Sequence, residues 1–334
     1  MVAVSASGNL AVVAVPTYPE PPASEPRADP GPVYCCGVVT APTSTTAGLR
    51  RQGSLDVLAW PSLDALDVDA FVTTRHGGVS AGSYSTLNLG LHVGDTPADV
   101  LVNRRRVAAA FGADLDDFVF CNQAHGRRVA VVSAADRGRG ALRLDDAVAS
   151  TDALVTADPG TVLAILVADC VPIILADPQA GVLACVHAGW RGTVAGVTGA
   201  ALHAMQALGA RPERIRAAIG PAVAADRYQV GPEVAAAADR YFGGDTGGIM
   251  RRDGSDSSGT GLWLLDLPAA NRRVIRESGV PDGQISGSGV TTATRAASSQ
   301  GRNSPGPELF FSDRAARPCG RFAAVARLRP REDT

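Results

Sequence analysis

An α+β fold, equally readable as α/β, is what this 334-residue sequence predicts: a single large domain with a mixed β-sheet core, a central hairpin and flanking helices. Three observations lead there. Short β-branched runs follow one another at 162–167, 173–176 and 182–186, and the last two are separated by the turn-forming Asp177-Pro178-Gln179-Ala180-Gly181. Helical patterns elsewhere end at glycines, and several follow directly on a strand-like run. Hydrophobic residues make up 46% of the chain, enough for a substantial core.

Along the chain, residues 1–56 are rich in Ala, Pro, Ser and Thr without sustained periodicity, and read as a disordered extension or as the product of a misassigned upstream start. An ordered domain is expected over 57–329, opening at Val57-Leu58-Ala59-Trp60. The spacing predicts helices over 193–208, closed by Gly209, over 232–242, and over 268–278, closed by Gly279. Further strands are expected at 217–219, 262–265 and 322–328. Two stretches of small polar residues, 243–261 and 286–307, read as mobile loops. Because the central pair forms a hairpin, the sheet is mixed rather than purely parallel. A hairpin centred between Pro178 and Gln179 places Cys170 directly opposite His187, with Cβ atoms about 4.5–5.5 Å apart.

Composition excludes several functions. A formal charge of −2 and a pI near 6.2 give no electrostatic footprint for nucleic acid or a membrane surface. All 31 cationic side chains are arginine, so Schiff-base chemistry and a lysine-dependent P-loop are ruled out, and anions must be bound by guanidinium groups or backbone amides. Six scattered cysteines form neither a disulfide framework nor a Cys-x-x-Cys zinc site, which fits a reducing cytoplasm. No run approaches the roughly 18 apolar residues of a membrane span, and no secretory signal is evident.

The chemistry converges on three residues. Cys170 ends one strand run, His187 ends the next, and His125 lies in Asn122-Gln123-Ala124-His125-Gly126; a thiolate and two imidazoles suit Zn2+, or Cu2+, with a fourth position open to water or substrate. A metal held there acidifies its water or polarises a leaving group. Cys185 shares the strand face of His187 and reads as core rather than as a fourth ligand, and Cys121 and Cys319 read as core too; His76, His92 and His203 read as ordinary loop or helix histidines. The turn Gly189-Trp190-Arg191-Gly192-Thr193 offers backbone amides and a guanidinium to an anion. Residues 73–80 (Thr-Thr-Arg-His-Gly-Gly-Val-Ser) and 87–95 (Leu-Asn-Leu-Gly-Leu-His-Val-Gly-Asp) read as substrate loops.

Taken together and in order, the segments Thr74–Ser80, Leu87–Gly90, Asn122–Gly126, Ala168–Pro172, His187–Gly192, Ile219–Pro221 and Phe310–Arg314 resemble the bacterial YfiH/YlmD proteins, labelled first multicopper polyphenol oxidases and later purine nucleoside phosphorylases. The resemblance implies metal ligation by His125, Cys170 and His187. It also implies phosphorolysis of adenosine, inosine and S-methyl-5′-thioadenosine to the base and a (methylthio)ribose 1-phosphate, with adenosine deamination as a companion activity. Asp169, Arg75 and Arg191 are the expected catalytic residues, the arginines for the anion and Asp169 as a proton shuttle or a support for the ligands. Asn88, Gln123 and Arg314 are the expected substrate contacts. The partners are then a nucleoside and phosphate; the sequence sets no oligomeric state. The chain departs from the family pattern at 285–308, which lacks the usual Cys-Thr pair and is expanded; Thr291 or Thr292 falls nearby.

Two other activities compete. A hydrolase with Cys170 as nucleophile, acting on amides such as peptidoglycan precursors, uses the same residues without a metal. A copper-dependent phenol oxidase needs many histidines in His-x-His pairs, whereas this chain has five and no such pair.

Overall fold

The computed structural model describes residues 46–254, 261–292 and 309–329. Two six-stranded mixed sheets stack face to face. The first runs, in spatial order, β1 (Gly48–Gln52), β2 (Leu55–Ala59), β3 (Val68–Thr73), β15 (Phe322–Leu328), β7 (Val162–Val167) and β4 (Phe118–Phe120). The second runs β14 (Ile285–Gly287), β10 (Arg216–Ile219), β8 (Val171–Asp177), β9 (Val182–Ala188), β6 (Ala153–Thr156) and β5 (Val129–Val131). A small third sheet orders β11 (Gln229–Val230), β13 (Trp263–Leu265) and β12 (Met250–Arg252). Each large sheet contains both parallel and antiparallel pairs, so the mixed α+β expectation holds, divided between two sheets.

Strand alternation explains the layering, because successive side chains on a strand point to opposite faces. On β9, Leu183 and Cys185 face the first sheet, where they meet Ile165, Phe322 and Ala324 in the inter-sheet core. Val182, Ala184 and Val186 face outward onto α4 (Val197–Ala207) and α6 (Leu267–Glu277), in a core that also takes in Val234 of α5 (Pro232–Tyr241). The outer face of the first sheet is covered by α2 (Pro97–Phe111), whose Val107 and Phe111 pack with Phe71 and Phe118. α2 starts at Pro97, where a missing N–H costs nothing, and ends at Gly112 in the left-handed conformation, φ +68°. No described helix is long and apolar enough to cross a membrane.

The fold begins upstream of residue 57. β1 and the start of β2 lie within the segment read as a disordered extension, and Leu55 is completely buried. As an edge strand with mostly exposed side chains, β1 carries no apolar alternation to read. The helix expected over 193–208 is two helices, α3 (Trp190–Ala195) and α4, broken at Gly196, φ +87°. Of the two expected mobile loops, β12 and part of β14 occupy the described portions, and 255–260 and 293–307 lie outside the described residues. Cys35 and Cys36 also lie outside them.

The central hairpin forms, shifted by one residue from the expected centre: Pro172 pairs with His187 and Val171 with Ala188, so Cys170 is not the cross-strand partner of His187. The turn sets this register. Asp177 Oδ1 accepts the amides of Gln179 and Ala180, Gly181 adopts φ +63°, and the resulting loop joins Asp177 to its partner Val182. Asp177 is fully buried, and its other oxygen accepts the Arg211 amide and the Arg214 guanidinium at 2.8–2.9 Å. Burial alone would raise its pKa, but these donors hold the carboxyl below its ordinary value. Asp177→Ala is therefore expected to destabilise the protein by about 2–4 kcal/mol, since several buried donors lose their acceptor. A depressed folded-state pKa stabilises above the unfolded value of about 4, and that contribution is lost as pH falls through the folded value. Thermal melts from pH 7 to pH 3 should show the gap between wild type and Asp177→Asn closing at the acid end.

Candidate metal centre and cavity

β8 and β9 bring Cys170, just before β8, and His187, near the end of β9, together. At the turn before β8 the chain bends through Asp169, a non-glycine residue at φ +83°, and Cys170 precedes the first ladder pair. His125 lies in the loop between β4 and β5, also in the left-handed region at φ +57°. The sulfur and one nitrogen of each imidazole lie within 4.8 Å of one another, so small side-chain movements suffice for one ion with bonds of about 2.0–2.3 Å. The imidazoles meet edge to face, with ring centroids 4.7 Å apart.

What orients them is Asp152, a residue absent from the sequence expectations. It is completely buried, and its Oδ1 lies 2.8 Å from His187 Nδ1. Its carboxylate also accepts the backbone amides of Ala124, His125 and Gly126 at 2.8–3.3 Å, so one side chain fixes both the His125 loop and the His187 ring. With Nδ1 committed to Asp152, Nε2 is the free nitrogen for a metal, and a carboxylate behind a metal-binding histidine raises its basicity. Burial opposes ionisation of Cys170, but the two imidazoles outweigh it and draw the thiol down to about 6. For His187, too, burial opposes the charged form, and the Cys170 sulfur and Asp152 outweigh it and raise its pKa. Together these groups form a soft thiolate and two neutral-capable imidazoles converging on one point, a donor set that fits zinc or copper.

Gly189 completes the cradle: a Cβ there would sit 2.9 Å from Cys170 Sγ and 3.1 Å from His125 Cδ2. Gly189→Ala is expected to keep the fold and weaken zinc binding by about tenfold or more, read by competition with a chromophoric chelator.

The three residues open into a cavity of about 850 Å³. Its wall includes the expected Asp169, Arg191, Gln123 and Arg314, and adds Tyr228 and His92. Arg75 and Asn88 are not among its lining residues. Arg75 donates Nε to Ser85 O and stacks on Phe311, 4.6 Å from the ring centroid, and burial lowers its pKa. Asn88 is wholly buried; its amide bonds Gly90, Asp95 and the backbone of Arg321, which fixes loop shape. Gln123 faces the cavity but spends its amide on the Leu166 backbone, at 2.7 and 2.9 Å, extending the ladder beyond β4.

Asp169 is tied to three donors: the Thr292 and Ser312 hydroxyls and the Arg314 amide. These bonds suit a positioning group that clamps the segment carrying Arg314 more than a proton shuttle. Of the two threonines near the departure from the family pattern, Thr292 is the one bonded to Asp169, and it is completely buried. Cys121 and Cys185 are buried in the core, where desolvation keeps their thiols protonated. Cys319 is buried as well; burial raises its thiol, and its sulfur accepts from Arg321.

Residues 69–329 match the sequence model of a family described as multi-copper polyphenol oxidoreductase laccase. The crystal structure of YlmD from Geobacillus stearothermophilus superposes with a TM-score of 0.75 at 35% identity, covering 84% of this chain and 99% of that one. This chain belongs to the YfiH/YlmD family. Another YfiH/YlmD relative, named purine nucleoside phosphorylase, from Deinococcus radiodurans, is 44% identical over 221 residues, 66% of this chain and 79% of the relative. A protein from an unknown prokaryotic organism, named adenosine deaminase RL5, is 40% identical over 218 residues, 65% of this chain and 81% of its own length.

Asp152 and Tyr228 carry no signal in the sequence, for different reasons. Asp152 sits in an ordinary Ser-Thr-Asp-Ala stretch and acquires its role only when β6 pairs with β9, bringing it beside His187. Tyr228 stands in a connection with no periodicity or motif, whereas His92 lies in a segment that the sequence marks as a substrate loop.

Proposed function

We propose that this chain is a purine nucleoside phosphorylase acting on adenosine, inosine and S-methyl-5′-thioadenosine, with adenosine deamination as a companion activity and zinc, or copper, held by His125, Cys170 and His187. The observation that carries the reading is the convergence of these three residues, supported from behind by Asp152, on a cavity lined by arginines and aromatic rings. The names of the similar proteins supply the substrate class.

When bound, the metal supplies Lewis-acid activation of an oxygen or nitrogen of the substrate. The remaining work falls to the chain. Arg191 stacks on Trp190, 4.4 Å from the ring centroid, which leaves its planar fork available to a phosphate. The Arg314 guanidinium is held by the Gln229 carbonyl and lies over Tyr228 at 5.5 Å. Burial, and secondarily the nearby Cys170 sulfur, push the Tyr228 hydroxyl pKa upward, so it stays a hydrogen-bond donor. Trp190 and Tyr228 add aromatic surface to the cavity wall for a purine, and fixing base and phosphate in one cavity converts a bimolecular displacement into an oriented one.

The test is product analysis by chromatography of adenosine incubated with enzyme. Adenine and ribose 1-phosphate, formed only with phosphate present, support the reading; free ribose, or no cleavage, contradicts it. The cysteine-hydrolase alternative requires a free Cys170 thiolate, and tight metal binding at that sulfur would remove it.

A further inference from the structure

We infer that Arg104, Arg321 and His92, cavity residues other than Arg191 and Arg314, form a second oxyanion-binding group in this cavity, and that it takes a phosphate group. All three residues line the cavity, and none is assigned a role by the reading above.

Arg104 is the strongest part of the case. Only 3% of it is exposed, and it has no carboxylate partner among the described residues. Its Nε donates to Leu89 O at 2.9 Å and its Nη1 to Gly140 O and Ala141 O at 2.6 and 2.8 Å, while the guanidinium lies 4.1 Å from the Phe120 ring centroid. The carbonyl dipoles and the ring stabilise the guanidinium, but no carboxylate among the described residues balances its charge. Nη2 has no hydrogen bond to any described group. Burying an unpaired charge is costly, and an anion in the cavity would offset that cost. Burial lowers the Arg104 pKa to about 9, which leaves it cationic at neutral pH.

The same loop brings in the other two groups. Leu89, whose carbonyl holds Arg104, donates its amide to Arg321 O, and the Arg321 amide bonds Asn88 Oδ1. Gly90 lets the Arg321 side chain lie against the backbone, since a Cβ there would be 2.9 Å from its Cγ. Arg321 Nη1 is used by Cys319 and Gly320, and its nearest carboxylate, Asp313, is 3.9 Å from Nη2. His92, two residues beyond Gly90, feels both guanidinium groups: burial first, then Arg321, Arg104 and His125, draw its pKa down to about 4. It is therefore a neutral donor at physiological pH. Two guanidinium groups and one imidazole N–H match the charge and donor needs of a tetrahedral oxyanion.

That phosphate group is either free inorganic phosphate or the 5′-phosphate of a purine nucleotide. The experiment is direct binding of inorganic phosphate and of adenosine 5′-monophosphate to the full chain by titration calorimetry, in wild type, Arg321→Gln, His92→Gln and Arg191→Gln. Arg104 is left intact, because its three carbonyl bonds make its loss a folding question, and circular dichroism confirms that the variants are folded. Weakening by about tenfold or more in Arg321→Gln and His92→Gln supports the proposal. If it affects inorganic phosphate, the group is the free anion; if it affects only the nucleotide, the group is an ester phosphate. Unchanged affinity for both ligands in both variants, or abolition of all oxyanion binding by Arg191→Gln alone, overturns the proposal. Because binding is read without turnover, the proposal can stand where phosphorolysis fails, and phosphorolysis can stand where the proposal fails.

Discussion

Cys170→Ala is expected to abolish metal retention and to lower kcat/KM for adenosine cleavage by about a thousandfold, equivalent to ~4 kcal/mol of transition-state stabilisation. The sulfur is the only thiolate of the three-residue set, and the two imidazoles that remain, His125 and His187, are already positioned by Asp152. The protein should stay folded, because Cys170 lies outside the β8–β9 ladder and the hairpin is fastened independently by Asp177. Metal analysis after gel filtration, alongside initial rates, checks both halves. Full metal occupancy in Cys170→Ala would remove this cysteine from the site. The same outcome would free the thiol for the hydrolase reading.

Asp152→Ala carries the second large effect, of a different character. It removes the acceptor of three consecutive amides as well as the partner of His187 Nδ1, all in a completely buried setting. A loss of about 3–5 kcal/mol of stability is expected, since several buried donors are stranded at once. The gentler Asp152→Asn keeps the side-chain shape and one carbonyl acceptor but not the charge. Zinc affinity in that variant should fall by about 10- to 100-fold, the usual penalty for losing a partner behind a metal-binding histidine. Substituting cobalt gives a readout beyond activity: a changed ligand-field spectrum would report reorientation of His187. An Asp152→Asn protein with wild-type zinc affinity and an unchanged cobalt spectrum would reduce Asp152 to a loop clamp.

How much of this was written in the sequence depends on whether the signal was local. The β7, β8 and β9 runs and the C-terminal strand were legible because buried central strands are continuously apolar, and Phe322–Leu328 emerges with its expected bounds. The edge strand β1 was not, because exposure erases alternation. The three candidate ligands are legible as residue types near strand ends, yet cross-strand pairing is not the route by which Cys170 meets His187. A four-residue loop stabilised by Asp177 shifts the register, and the Asp169 bend, rather than cross-strand pairing, carries the sulfur to the imidazole. Arg75 and Asn88 have the residue types of substrate contacts, but their side chains are spent on loop carbonyls and amides. Nothing in a single sequence distinguishes an arginine that faces a cavity from one that stacks on a core ring. Asp152 and Arg104 gain their meaning only from strand pairing and burial.

The most direct test of the central claim, that His125, Cys170 and His187 form one metal centre required for nucleoside cleavage, is a single experiment on wild-type protein. The zinc-to-protein ratio and phosphate-dependent adenine release are measured in the same sample as isolated, after exhaustive chelation, and after zinc is restored. The expected result is close to one zinc per chain, with loss of both metal and turnover on chelation and recovery of both on re-addition. Undiminished turnover in fully metal-free protein would contradict the claim.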